Sequence, residues 1–241
     1  MTIAITQSIH LAHIYALLIG TYGEPQNEPD YDPLGGLIGT ILSQHTSDIN
    51  SGRAYQQLIT KFPTWEEVRD APTYEIAEAI RCGGLANIKA PRIQDALHTL
   101  TEWQQKQGGT KFLSDYLYDE LTKRTSEEAW EYLRRIQGVG PKTAACVLMF
   151  HLNRPVMPID THVYRTARRL GLIGPKVNAD QAHTIFAKMT PPEWVYPLHV
   201  NLIRHGRQIC HAKRPECTKC ALYNKCAYVG SVNPQETAIS V

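Results

Sequence analysis

The sequence has no apolar run long enough to span a bilayer and no basic N-terminal region leading into an uninterrupted apolar core. The expectation is a globular chain without membrane span, signal peptide or anchor, cytoplasmic by default. It also lacks convincing period-two strands, internal repeats and low-complexity tracts, which argues against a sheet-based fold or a repeat array. Net charge is only +2 over 241 residues, so overall charge identifies no partner by itself. Cysteine is scarce too, with six residues, of which Cys82 and Cys146 stand alone and read as small buried hydrophobes.

What is present is helical spacing. At 43% hydrophobic content the chain can bury one large core or two modest ones. Apolar residues recur at helix period over residues 8–20, 33–42, 49–59, 91–107 and 160–170, with Asp32 and Pro33 as cap and first residue of the second segment. Thr64 with Glu67 carries a capping-box signature, and Ser126 is the expected cap of a later helix. The class is all-α with many short helices. Charge is unevenly spread: residues 1–150 hold 13 Lys and Arg against 18 Asp and Glu, whereas residues 151–241 hold 12 against 5. The C-terminal part therefore offers a basic face, with Arg165, Arg169, Lys213 and Arg214 among its cations, suited to backbone phosphates or simply to solvent.

The chain is organised around Gln137-Gly138-Val139-Gly140-Pro141-Lys142-Thr143-Ala144. Apolar helical segments flank it, so it reads as helix, tight turn, helix. Glycines at 138 and 140 permit positive φ and close backbone approach, Val139 is the expected apolar tip, and Pro141 suits a first helical position. Amides at such a helix start form an anion site, for which one phosphate is the natural occupant. Lys142 lies in the first turn, where the helix dipole disfavours a cation by roughly 0.3–1 kcal/mol. That field favours the neutral amine a nucleophile requires. Asp160, within Pro158-Ile159-Asp160-Thr161-His162, reads as the N-cap of a further helix. Alone, Lys142 reads as a phosphate contact and Asp160 as a cap; together beside the hairpin they point to chemistry.

Cys210, Cys217, Cys220 and Cys226 follow the spacing C-x6-C-x2-C-x5-C. In a cytoplasmic chain such a set ligates metal more readily than it forms disulfides, and spacing alone leaves zinc and an iron-sulfur cluster both open. Bound metal would order this loop of low hydrophobic content.

The hairpin, the Ile159-Asp160-Thr161-His162 segment and the four-cysteine spacing, in this order and over nearly the whole chain, resemble the endonuclease III family of helix-hairpin-helix DNA glycosylases. The resemblance implies a two-lobed all-α protein. Residues 27–154 would form a six-helix barrel lobe carrying the hairpin, and residues 1–26 with 155–241 a second lobe around a 4Fe-4S cluster held by the four cysteines. It implies a monomeric base excision repair enzyme without a membrane role, nucleoid-associated and of bacterial or archaeal type, acting on double-stranded DNA with damaged bases or abasic sites. Lys142 would attack C1′ of a flipped nucleotide, oxidised pyrimidines being the expected lesions. Asp160 would be the essential carboxylate, and β-elimination would cut 3′ to the abasic site. The implied DNA contacts are Gly138, Val139, Gly140, His45, Leu85, His162, Arg165, Lys213 and Arg214, with His45 and Leu85 filling the gap left by the flipped base. Two departures stand out: His45 replaces the family's usual glutamine, and Glu216 replaces a basic residue. Alternatives are a mismatch- or adenine-type glycosylase, whose members usually lack the lysine, a non-catalytic helix-hairpin-helix DNA-binding protein, and an electron carrier.

Overall fold

The computed structural model describes residues 2–231, with side chains from 9 to 229. Residue 1 and residues 232–241, included in the expected cluster lobe, lie outside the described residues. The chain divides into two compact units, Glu28–Val156 and Met1–Asn27 with Met157–Val241. No strand occurs among the described residues, in line with the all-α expectation.

In chain order, α1 (Thr2–Tyr22) belongs to the discontinuous unit. The continuous unit holds α2 (Pro33–Ser43), α3 (Asp48–Lys61), α4 (Trp65–Asp70), α5 (Thr73–Ala79), α6 (Ala86–Lys106), α7 (Leu113–Thr122), α8 (Ser126–Arg134) and α9 (Pro141–Cys146), which runs on through a π-turn over Val147–His151. The discontinuous unit resumes with α10 (Thr161–Leu170), α11 (Ala179–Met189), α12 (Val195–Gln208) and α13 (Ala227–Ser231).

The continuous unit is built on α2. Asp32 caps it by accepting the Gly35 N–H at 2.9 Å, and Pro33 opens it. Its Leu34, Leu37, Ile38, Ile41 and Leu42 are all buried, as a helix that is apolar all round must be. Each contributes roughly 1.5–3 kcal/mol by leaving water. Helices α3, α6, α7 and α9 surround it. In the discontinuous unit, Leu11, Ile14 and Leu18 of α1 are buried, as are Val163 and Leu170 of α10 and Leu198 and Leu202 of α12. Tyr15 stacks on Trp194 with centroids 4.3 Å apart, and His10 Nε2 hydrogen-bonds the Leu170 carbonyl at 2.7 Å.

Two helix starts differ from the sequence expectations. The cap of α8 is Thr125, because Thr125 lies three residues before Glu128 and completes a reciprocal capping box, whereas Ser126 faces Ala129 at that spacing. At α4 the cap is Thr64 as expected, its hydroxyl accepting the Glu67 N–H at 3.2 Å, and the neighbouring Glu66 accepts the Leu113 N–H at 2.9 Å. Helix α6 begins at Ala86 rather than Pro91, since the Leu85 carbonyl accepts the N–H of both Ile88 and Lys89 at 2.9 Å.

Candidate active site and cysteine pocket

After α8 the chain turns through Gly138, which has φ +82°, and enters α9 at Pro141. Gly140 is extended, at φ −83° and ψ 175°, so only the first glycine uses the left-handed region. A Cβ at Gly138 or Gly140 would meet no protein atom within 4 Å, so the outer side of the turn is open. Val139 is not a tip. Its N–H returns to the Ile136 carbonyl at 3.0 Å, and its side chain is only 5% exposed, packed into the core of its unit. The Trp130 Nε1–H donates to the Pro141 carbonyl at 3.0 Å and locks one arm of the hairpin to the other. The first helical bond of α9 runs from Ala144 N–H to Gly140 O at 3.0 Å, so the Lys142 and Thr143 amides precede it. The Lys142 side chain is half-buried on this first turn.

Two other predicted contacts share an unusual backbone. His45 has φ +54° and Leu85 φ +52°, a region that costs a non-glycine residue roughly 1–3 kcal/mol. Both side chains are exposed, Leu85 at 49%, although leucine ordinarily seeks burial.

In the discontinuous unit Asp160 caps α10: its Oδ1 accepts the Val163 N–H at 2.7 Å, leaving Oδ2 outside that bond. His199, buried and not singled out from the sequence, hydrogen-bonds the Pro158 carbonyl at 3.0 Å and fixes the approach to Asp160. A histidine 39 residues downstream of Asp160 gives no local signal of that role. Arg165 turns inward, donating to the carbonyls of Cys210 at 3.0 Å and Gly206 at 2.8 Å and meeting His162 Nδ1 at 3.1 Å. Lys213 and Arg214 are exposed. Glu216 pairs with Lys219 at 2.7 Å, which holds its carboxyl below the usual range and neutralises one cation of this loop.

The four cysteines line one cavity together with Thr166, Arg169 and His205. Burial pushes the thiols of Cys217 and Cys220 up, Cys220 to about 11, whereas an electrophilic metal centre would favour their thiolates. Arg169 braces the loop, donating to Cys210 Sγ at 3.2 Å and to the carbonyls of His211 at 2.7 Å and Ala212 at 2.9 Å. His205 Nε2 lies 3.5 Å from Cys220 Sγ, and its Nδ1 meets the Tyr22 hydroxyl at 3.0 Å. Burial lowers the pKa of His205 to about 4, so its ring is neutral. The Thr166 hydroxyl is buried without a hydrogen-bond partner. Among the described residues, no three His, Cys, Asp or Glu side chains converge on a single-ion site. Four thiols lining one cavity are a donor set suited to a metal centre.

Residues 38–192 match the model of the HhH-GPD superfamily base excision DNA repair proteins. The chain belongs to that superfamily. Curated relatives of this HhH-GPD protein include an Arabidopsis thaliana protein named provisionally as a DNA glycosylase, 35% identical over 86% of this chain and 69% of that protein. They also include endonuclease III of Thermotoga maritima, 30% identical over 85% of this chain and 87% of the relative. A trapped endonuclease III–DNA covalent intermediate superposes with a TM-score of 0.75 at 24% identity, covering 93% of this chain and 97% of that one. A thermostable thymine-DNA glycosylase shares the fold with a TM-score of 0.72 at 17% identity, over 92% and 97% of the two chains. The HhH-GPD protein is thus endonuclease III-like across most of its length.

Proposed function

We propose that this endonuclease III-like DNA glycosylase of base excision repair is bifunctional, removing a damaged base and then cutting the strand as an abasic-site lyase. The observation that carries the reading is Lys142, a half-buried amine on the first turn of the helix that leaves an open glycine hairpin. A hairpin that only grips DNA needs no such amine.

In the proposed reaction the damaged nucleotide is flipped out, and Lys142 Nζ forms a bond to C1′ as the glycosidic bond breaks and its electrons leave with the base. Transfer of a proton from Nζ to O4′ as the C1′–O4′ bond opens gives a protonated imine and a free O4′ hydroxyl. Removal of a C2′ proton then expels the 3′ oxygen. The Asp160 carboxylate stabilises positive charge developing on the sugar and takes part in the proton transfers. The Lys142 and Thr143 amides offer a phosphate site, and the open outer side of Gly138 and Gly140 lets a strand come close.

The four cysteines would hold a 4Fe-4S cluster, whose chemistry here is to cross-link the loop over residues 210–226. Purified protein is then yellow-brown with about four iron atoms per chain. Cys220→Ser should cost most of that iron and colour; colourless, zinc-loaded protein would contradict the assignment.

Double-stranded DNA is the proposed partner, with oxidised pyrimidines as the preferred lesions. A cleavage panel of duplexes with oxidised pyrimidines, abasic sites and mismatches tests this. Cutting of the first two classes is expected; base release confined to mismatches, with no strand cut, would favour a monofunctional mismatch enzyme.

A further inference from the structure

Lys89 is the largest fully buried polar side chain of the described structure, at 1% exposure. A buried ammonium persists only where its donors are met. Here all three are: Nζ donates to the Leu42 carbonyl at 2.7 Å, the Gly83 carbonyl at 2.8 Å and the Thr46 hydroxyl at 3.0 Å. These acceptors are uncharged, and burial lowers the amine's pKa.

The three acceptors come from three places. Leu42 lies in the last turn of α2, whose terminal carbonyls lack intrahelical partners and attract a cation. Thr46 follows His45 directly, and its hydroxyl also donates to the Gly83 carbonyl. Gly83 is two residues before Leu85, and a Cβ on it would come within 2.9 Å of Ala54 Cβ, so this loop sits hard against α3. Lys89 itself is on the first turn of α6, whose initiating carbonyl is that of Leu85. One ammonium therefore joins two of the four segments that hold a non-glycine residue in the left-handed region, those of His45 and Leu85, each with its side chain in solvent. Two strained tips need a fixed common base, or they relax.

We propose that Lys89 is a positioning residue that sets His45 and Leu85 at a fixed separation, so that the two side chains enter the gap left by a flipped nucleotide as one wedge. This rests on the reading of His45 and Leu85 as gap-filling residues. Lys89 touches no DNA in this account; it acts through the two loops.

The test measures affinity of the full chain for a duplex with a tetrahydrofuran abasic-site analogue and for the same duplex undamaged. Leu85→Ala should lower the ratio of the two affinities about ten-fold. Lys89→Met should lower it by a similar factor with undamaged-duplex affinity unchanged, and should add less than two-fold in the Leu85→Ala background, because a wedge already lost cannot be mispositioned. Thr46→Val, which removes the shared hydroxyl but leaves the amine, should move the ratio the same way and decides the matter if Lys89→Met does not fold. Folded Lys89→Met or Thr46→Val protein with an unchanged ratio, or a full Lys89→Met loss on top of Leu85→Ala, would overturn the positioning role alone. An unchanged ratio for Leu85→Ala would instead bring down the gap-filling reading and the proposal with it.

Discussion

Lys142→Ala should bind abasic-site duplex within a few-fold of the parent yet lose at least a thousand-fold in strand cleavage, measured by single-turnover gel assay. Binding survives because the hairpin does not depend on the amine. Gly138 makes the turn, Trp130 clamps the two arms through the Pro141 carbonyl, and Val139 is anchored in the core. In the proposed reaction cleavage is lost because Lys142 is the amine that forms the imine through which the 3′ bond breaks. Covalent catalysis divides one hard step into two easier ones, so removing the nucleophile removes the route rather than slowing it. Cleavage persisting within ten-fold would show that a different amine serves.

Asp160→Asn separates the observed cap from the catalytic role proposed for the same carboxylate. Asparagine caps helices as well as aspartate does, so the 2.7 Å bond from the Val163 N–H survives and the melting temperature should shift by no more than a few degrees. Charge is what changes. A neutral amide cannot stabilise a positive sugar or accept a proton, and base release should fall by roughly 10²–10³, the scale of losing one preorganised electrostatic group. A large drop in melting temperature with near-normal base release would reverse the assignment, leaving Asp160 as a cap.

Much of this was legible because it is local. Asp32-Pro33, Gly138, Pro141 and Asp160 are punctuation marks whose backbone consequences follow from their own chemistry, and all lie where helices start or turn. The four cysteines announce a shared pocket by spacing alone, and the structure brings them to one cavity. Non-local detail was not legible. Val139 reads as a tip between glycines, yet the turn folds it into the core. Arg165 reads as a phosphate contact, yet its guanidinium is committed to carbonyls some 40 residues onward, at Gly206 and Cys210. His199, Arg169 and Lys89 act through acceptors 41, 42 and 47 residues away, at Pro158, His211 and Leu42, and no window of sequence contains both ends of such a bond. Lys89 in particular lies ahead of the helix expected from Pro91 and carries no local signal of burial. Helix α6 instead starts at Ala86, after the left-handed Leu85, and Lys89 falls on its buried face.

Borohydride reduction during reaction with abasic-site DNA, followed by peptide mapping of the adduct, tests the central claim most directly. The account predicts a covalent protein–DNA complex whose modified residue is Lys142. Protein that binds and processes the DNA without being trapped, or an adduct mapped to any other amine, would contradict it.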